Sequence, residues 1–198
     1  MNRNDVNPEM RDDVELENCI GLLELCSVAK GVEVADAVLK EAKVEMLFAT
    51  NVQDGKYVML YTGSVRDVES STARGAQVAG GDLVDKLVIQ QIDEQVVPML
   101  KRRGGKINGV LDAIGVVETS TVASSIVSCD LALKTATVDL IDFRIANGLG
   151  GKSFFVVTGE VSDVRSAVAA GARMAQERNQ LLRDVVIPRP HPELVKHL

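Results

Sequence analysis

Three groups of residues in this chain have types and spacings that could support chemistry. The first is Ala146-Asn-Gly-Leu-Gly-Gly-Lys152-Ser153, a relaxed phosphate-loop pattern with Ala146 in place of the first glycine. A phosphate loop works because backbone N–H groups converge at the N-terminus of a helix, whose dipole adds to the field. Here the residues that follow, Ser-Phe-Phe-Val-Val-Thr-Gly, favour a strand. The strand–loop–helix context is missing, so a glycine-rich hairpin is expected and nucleotide hydrolysis is not. The second group is Glu24 and Glu118, two acids at matching places in apolar runs. Paired carboxylates can do acid–base work, but no histidine or serine partner accompanies them. A structural hydrogen bond or interface contact is the expected role.

The third group is the cysteines and histidines. Cys19, Cys26 and Cys129 have no C-x-x-C spacing and read as three free thiols, with Cys26 and Cys129 as small buried hydrophobes. His191 and His197 crowd the C-terminus and read as surface or interface residues. A structural zinc site would need four ligands from this thin supply. No catalytic triad, metal cage or dinucleotide fingerprint can be assembled, so no enzymatic activity, cofactor or metal is expected.

The elements that carry these residues come from a chain of 198 residues with 46% hydrophobic and 25% charged content. That composition excludes a disordered or collagen-like polymer. The net charge of −6, with no tryptophan, two tyrosines and four phenylalanines, disfavours nucleic-acid binding. No apolar run approaches the eighteen or so residues of a membrane span, and the polar N-terminus lacks a signal-peptide core.

An internal repeat dominates the pattern. The segment from Ile20, IGLLELCSVAKGVEVADAVLKEAKVEML, matches that from Ile114, IGVVETSTVASSIVSCDLALKTATVDLI. The matches include Gly21/Gly115, Glu24/Glu118, Asp36/Asp130, Lys40/Lys134 and, farther on, Gly55-Lys56/Gly151-Lys152 and Thr62-Gly63/Thr158-Gly159. The expected organisation is a mobile acidic tail (1–17), a first domain (18–103), a basic glycine-rich linker (104–111) and a second domain (112–198). Each copy reads strand, helix, strand, strand, helix, strand. Ser27 and Thr121 stand at the first N-caps, and Ser64 with Asp67 at capping-box spacing. Val28, Val32, Ala35, Val38 and Leu39 recur at helical spacing. This is an α+β fold of two tandem ferredoxin-like units, antiparallel sheets backed by helices. Such modules also serve as small-ligand-binding or regulatory domains, which is the alternative reading.

The two repeat openings and the ending VVIPRPHPELVKHL resemble the bacterial microcompartment shell family. Within it the resemblance is to the tandem-domain, single-layer trimers of propanediol-utilisation-like compartments. The resemblance implies a structural shell protein in the cytoplasm, a homotrimer mimicking a hexamer. It would tile beside other shell proteins and pass small metabolites through a central pore. It assigns the pore lining to Asn51, Val52, Gln53, Asp54 and Gly55 and to Asn147, Gly148, Leu149, Gly150 and Gly151. It places Lys40, Lys134, Arg189 and His191 at the tile edge, with Gln91 replacing the arginine in copy one. Some relatives carry a pore cysteine for an iron–sulfur cluster where this chain has Gln53. An amide is not a normal ligand for such a cluster, so none is expected.

Overall fold

The computed structural model describes residues 10, 17, 19–101, 111–146 and 148–195. Asn147, His197, and the expected tail and linker (except Met10, Glu17 and Leu111) lie outside the described residues. In chain order the elements are β1 (Cys19–Leu25), α1 (Val28–Glu41), β2 (Val44–Val52), β3 (Lys56–Gly63), α2 (Val65–Ala79), β4 (Leu83–Ile89) and α3 (Val96–Lys101). The second half repeats them as β5 (Ala113–Thr119), α4 (Val122–Thr135), β6 (Asp139–Ile145), β7 (Ser153–Gly159), α5 (Val161–Glu177), β8 (Leu181–Pro188) and α6 (Pro192–Val195).

Local chemistry sets the helix starts. The hydroxyls of Ser27, Ser64 and Thr121 accept from the backbone N–H groups of Lys30, Asp67 and Ser124, each satisfying one orphan donor of a first turn. Glu160 holds the same place before α5 without a side-chain cap, and Asp163 supplies the negative charge there. The two antiparallel sheets have the orders β2-β3-β1-β4 and β6-β7-β5-β8. Their irregularities also repeat: Met46/Phe48 and Leu140/Asp142 each interrupt the register of one hairpin.

One face of the first sheet is covered by its own helices. Leu23, Leu25, Met59 and Tyr61 pack with Val34, Val38 and Val68. The approach is close: a Cβ on Gly21 would lie 2.4 Å from Cε2 of Tyr61. The buried Tyr61 hydroxyl lies 2.6 Å from that of Thr72, which itself donates to the Val68 carbonyl. Burial pushes the Tyr61 phenol well above its ordinary pKa.

The other face of that sheet, with Ile20, Leu22, Leu60 and Leu87, joins a larger core that continues through Val122, Ile126 and Cys129 of α4. The second half's first helix is thus sandwiched, and its burial runs around most of its circumference. Its counterpart α1 is covered on one side only. Gly31, Val34 and Val38 are buried, while Val28, Val32 and Leu39 remain 41%, 57% and 49% exposed. The apolar spacing in the sequence correctly marks a helix, but it mixes two faces, and only Val38 of the five residues is in the core.

Candidate functional site

Two features of the described structure gather polar groups from both halves: the junction where α4 meets the first sheet, and the pair of loops beside it. At the junction, Glu24 is fully buried at the end of β1. Its Oε2 accepts from the backbone N–H of Val122, at 2.8 Å, in the first turn of α4. Its Oε1 accepts from Lys56 Nζ at 3.0 Å. The same ammonium donates to the carbonyls of Ser120, at 3.3 Å, and Gly151, at 3.5 Å. Desolvation raises the Glu24 pKa; Lys56 and the N–H groups of Val122 and Ala123 work against it. A carboxylate from one half therefore caps a helix of the other, and a lysine beneath it ties the two loops together.

Further contacts widen the junction. Asp85 of β4 accepts from the Thr121 hydroxyl at 2.6 Å and pairs with Arg178 at 2.5 Å. Arg178 also reaches the Lys86 carbonyl. At the other end of α4, Lys134 pairs with Asp130 at 2.7 Å and donates to the Gln91 carbonyl. The Asp130 carboxylate accepts from the Asp93 backbone N–H at 2.8 Å. Gln95 bridges to β6, donating to the Val138 carbonyl and accepting from the Leu140 N–H. The expectation that Glu24 makes a structural or interface bond fits this geometry. The parts played by Lys56, Asp85, Thr121 and Arg178 as junction residues were not read from the sequence. Their only trace was that Lys56 ends the repeated Gly-Lys pair and Thr121 is a cap.

The loops lie against each other. Residues 53–55 form a single tight turn in which Asp54 (φ 64°) and Gly55 (φ 71°) adopt left-handed backbone. In the second loop Gly148, Gly150 and Gly151 do the same, as does Ala146. Gly150 N–H donates to Gln53 Oε1 at 3.0 Å. Asn51, Gln53, Asp54, Gly55, Gly148 and Gly150 are exposed, and Leu149 is half-buried. Val52 packs in the core and Gly151 is buried, so neither presents a side chain or surface to a channel. The 146–152 segment leads into β7, the strand context that sets it apart from a phosphate loop.

The remaining sequence-derived residues sit apart from this centre. Lys40 is exposed and paired with Asp36 at 2.6 Å. Arg189 is exposed, with left-handed backbone (φ 48°). His191 Nδ1 accepts from the Glu193 N–H at 3.2 Å at the start of α6. Lys134 has a role the edge assignment did not include, since it contacts the first half of its own chain. Cys26 departs from expectation: it is exposed, because it lies past the end of β1, before the helix cap, and its thiol is 3.6 Å from Asp82. Cys19 and Cys129 are buried. The loop position is held by Gln53, whose amide does not fit an iron–sulfur cluster that takes thiolates. Among the described residues no three His, Cys, Asp or Glu side chains cluster as a metal site would require.

The BMC domain model matches residues 19–92 and again 113–190. The chain belongs to the BMC domain family. It is 39% identical over 185 residues to the bacterial microcompartment shell protein PduT of Citrobacter freundii, covering 92% of this chain and 98% of that protein. The shell protein PduA of the same organism matches 88 residues at 35% identity, 44% of this chain but 91% of its own length. A crystal structure of a microcompartments protein from Desulfitobacterium hafniense superposes with a TM-score of 0.76 at 43% identity, over 89% of this chain and 97% of the other.

Proposed function

We propose that this chain is a structural shell protein of a bacterial microcompartment that closes as a homotrimer, its six halves surrounding a central pore. The observation that carries this is the seating of α4 on the first sheet, latched by Glu24 and Lys56. That junction is head-to-tail: a sheet face of one half receives a helix of the next. A heterologous contact of this kind generates a ring when its rotation closes. A two-half chain supplies one such junction internally and carries the unused sides of another at its two ends. Relatives of a single half's length, such as PduA, agree with a ring built from repeated units of this size.

The paired loops, held by the Gln53–Gly150 bond, then face the ring axis and admit small polar metabolites. Lys40, Arg189 and His191 lie toward the outer edge, where other shell proteins pack side by side. The domains run from 18 to 103 and from 112 to 198. The protein resides in the microcompartment shell, and neither nucleic acid nor membrane is a partner; among the described residues no helix is long and apolar enough to cross a membrane. The regulatory-module alternative rests on fold alone and is not favoured beside relatives named as shell proteins.

Native mass spectrometry tests the assembly. The expected species has three times the 21.3 kDa chain mass; a monomer or dimer at micromolar concentration overturns the reading. Arg189→Ala should keep that mass and impair the flat sheets seen by electron microscopy.

A further inference from the structure

The two surfaces that meet at the junction within the chain have exposed counterparts in the other half. The sheet register fixes the equivalences: Leu22 pairs with Leu87 and Val116 with Val185, Glu24 with Asp85 and Glu118 with Arg183. On the donor side, Val122, Ile126 and Leu133 of α4 belong to the core shared with the first half and are 0%, 0% and 7% exposed. Their counterparts on α1 are the exposed Val28, Val32 and Leu39. On the receiving side, Leu87 is buried under α4, whereas its counterpart Val185 is exposed together with Leu182.

The latch residues recur in the same relation. Lys152 lies 3.6 Å from Glu118, as Lys56 lies beside Glu24, but with side chains 53% and 38% exposed rather than 18% and 0%. One element does not repeat. Where the first half has Asp85, the second has Arg183. Where the second half has Arg178 before β8, the first has Gly80, and Asp82 is the carboxylate of that turn. The polarity of the ion pair is reversed.

We propose that the β5/β8 face of the second half receives α1 of another copy of this chain. Glu118, braced by Lys152, accepts from the first-turn N–H groups of that α1, and Arg183 pairs with Asp82 of the neighbouring copy. This rests on the trimer reading and names the surface that closes it. Three observations support the occupant. The apolar stripe on α1 matches in position the stripe that α4 buries. Glu118 already stands where a helix N-terminus would satisfy it. Asp82 and Arg183 are complementary, and Ser27, which replaces the Thr121 donor, presents a hydroxyl that can accept from a guanidinium. The reversed polarity makes the inner and outer junctions distinct, because a face carrying Arg183 disfavours the Arg178 end of a second half.

Charge-swap variants of the full chain test this by sedimentation over a concentration series, with circular dichroism confirming the fold of each. Arg183→Asp and Asp82→Arg should each weaken the trimer by about tenfold or more, and the double variant should recover to within about threefold of wild type. Glu118→Ala should weaken the trimer without unfolding the monomer, since Glu118 is partly exposed there. A wild-type protein that is not a trimer defeats the assembly reading itself. A wild-type trimer that these single variants leave intact, or a double variant that fails to recover, overturns this surface while the trimer stands.

Discussion

Glu24 shows why a single buried carboxylate matters to this architecture. Burial raises its pKa, and the attraction of Lys56 and two backbone N–H groups only partly offsets that cost. A carboxyl whose native pKa lies above its unfolded value adds stability that is complete below the unfolded value and is lost as pH rises through the native one. Wild-type stability to urea should therefore fall across that window with rising pH, and Glu24→Gln should remove that part of the slope; an unchanged profile would contradict the assignment. Glu24→Ala has a different consequence. It strands the Lys56 ammonium and the Val122 N–H, and should cost about 3 kcal/mol at neutral pH. The pair thus adds little net stability and fixes where α4 starts relative to β1. Part of this was legible in the sequence: an acid in an apolar strand end with no catalytic partner reads as a structural bond. Its partner was not legible, because Val122 lies 98 residues away and no local pattern links the two.

At the scale of elements, the repeat and the periodicities specify nearly the whole order of strands and helices. β1 and β5 coincide with the apolar runs CIGLLEL and AIGVVET. The caps at Ser27, Ser64 and Thr121 follow from side-chain oxygens placed before apolar-periodic segments. What periodicity cannot assign is which face of a helix is covered when the cover comes from another half. On α1 apolar side chains point both ways, with Val34 and Val38 inward and Val28, Val32 and Leu39 outward, and small Gly31 faces its own sheet, where a Cβ would meet the Tyr57 ring at 2.3 Å. The same difference separates two equivalent caps. Ser27 caps α1 alone, whereas the Thr121 hydroxyl caps α4 and also donates to Asp85 across the junction. Ser27→Ala should cost about 1 kcal/mol and Thr121→Ala about 2 kcal/mol in the monomer. Equal losses would show that the Thr121–Asp85 bond contributes nothing.

At the scale of the whole molecule, the junction and the loops form one device, because Lys56 bonds both to the latch at Glu24 and to the Gly151 carbonyl of the second loop. In the proposed ring, the same lysine would couple the junction to the position of the loops at the axis. In the proposed trimer, each chain brings one exposed Asp54 to the axis, on a turn whose left-handed backbone holds it clear of the core. Lys56, the nearest basic residue in sequence, is hydrogen-bonded to Glu24 and makes no ion pair with Asp54, so it offsets that carboxylate only in part. Three such charges around a narrow opening repel anions and favour cationic or neutral polar solutes, an effect that salt screens over about 10 Å at 0.1 M ionic strength. Shells assembled from this protein around a fluorophore quenched by iodide make the sign measurable. Asp54→Asn should speed quenching severalfold and Asp54→Lys more, with both differences shrinking at high ionic strength. If iodide enters all three at the same rate, Asp54 does not face the axis and the charge assignment fails.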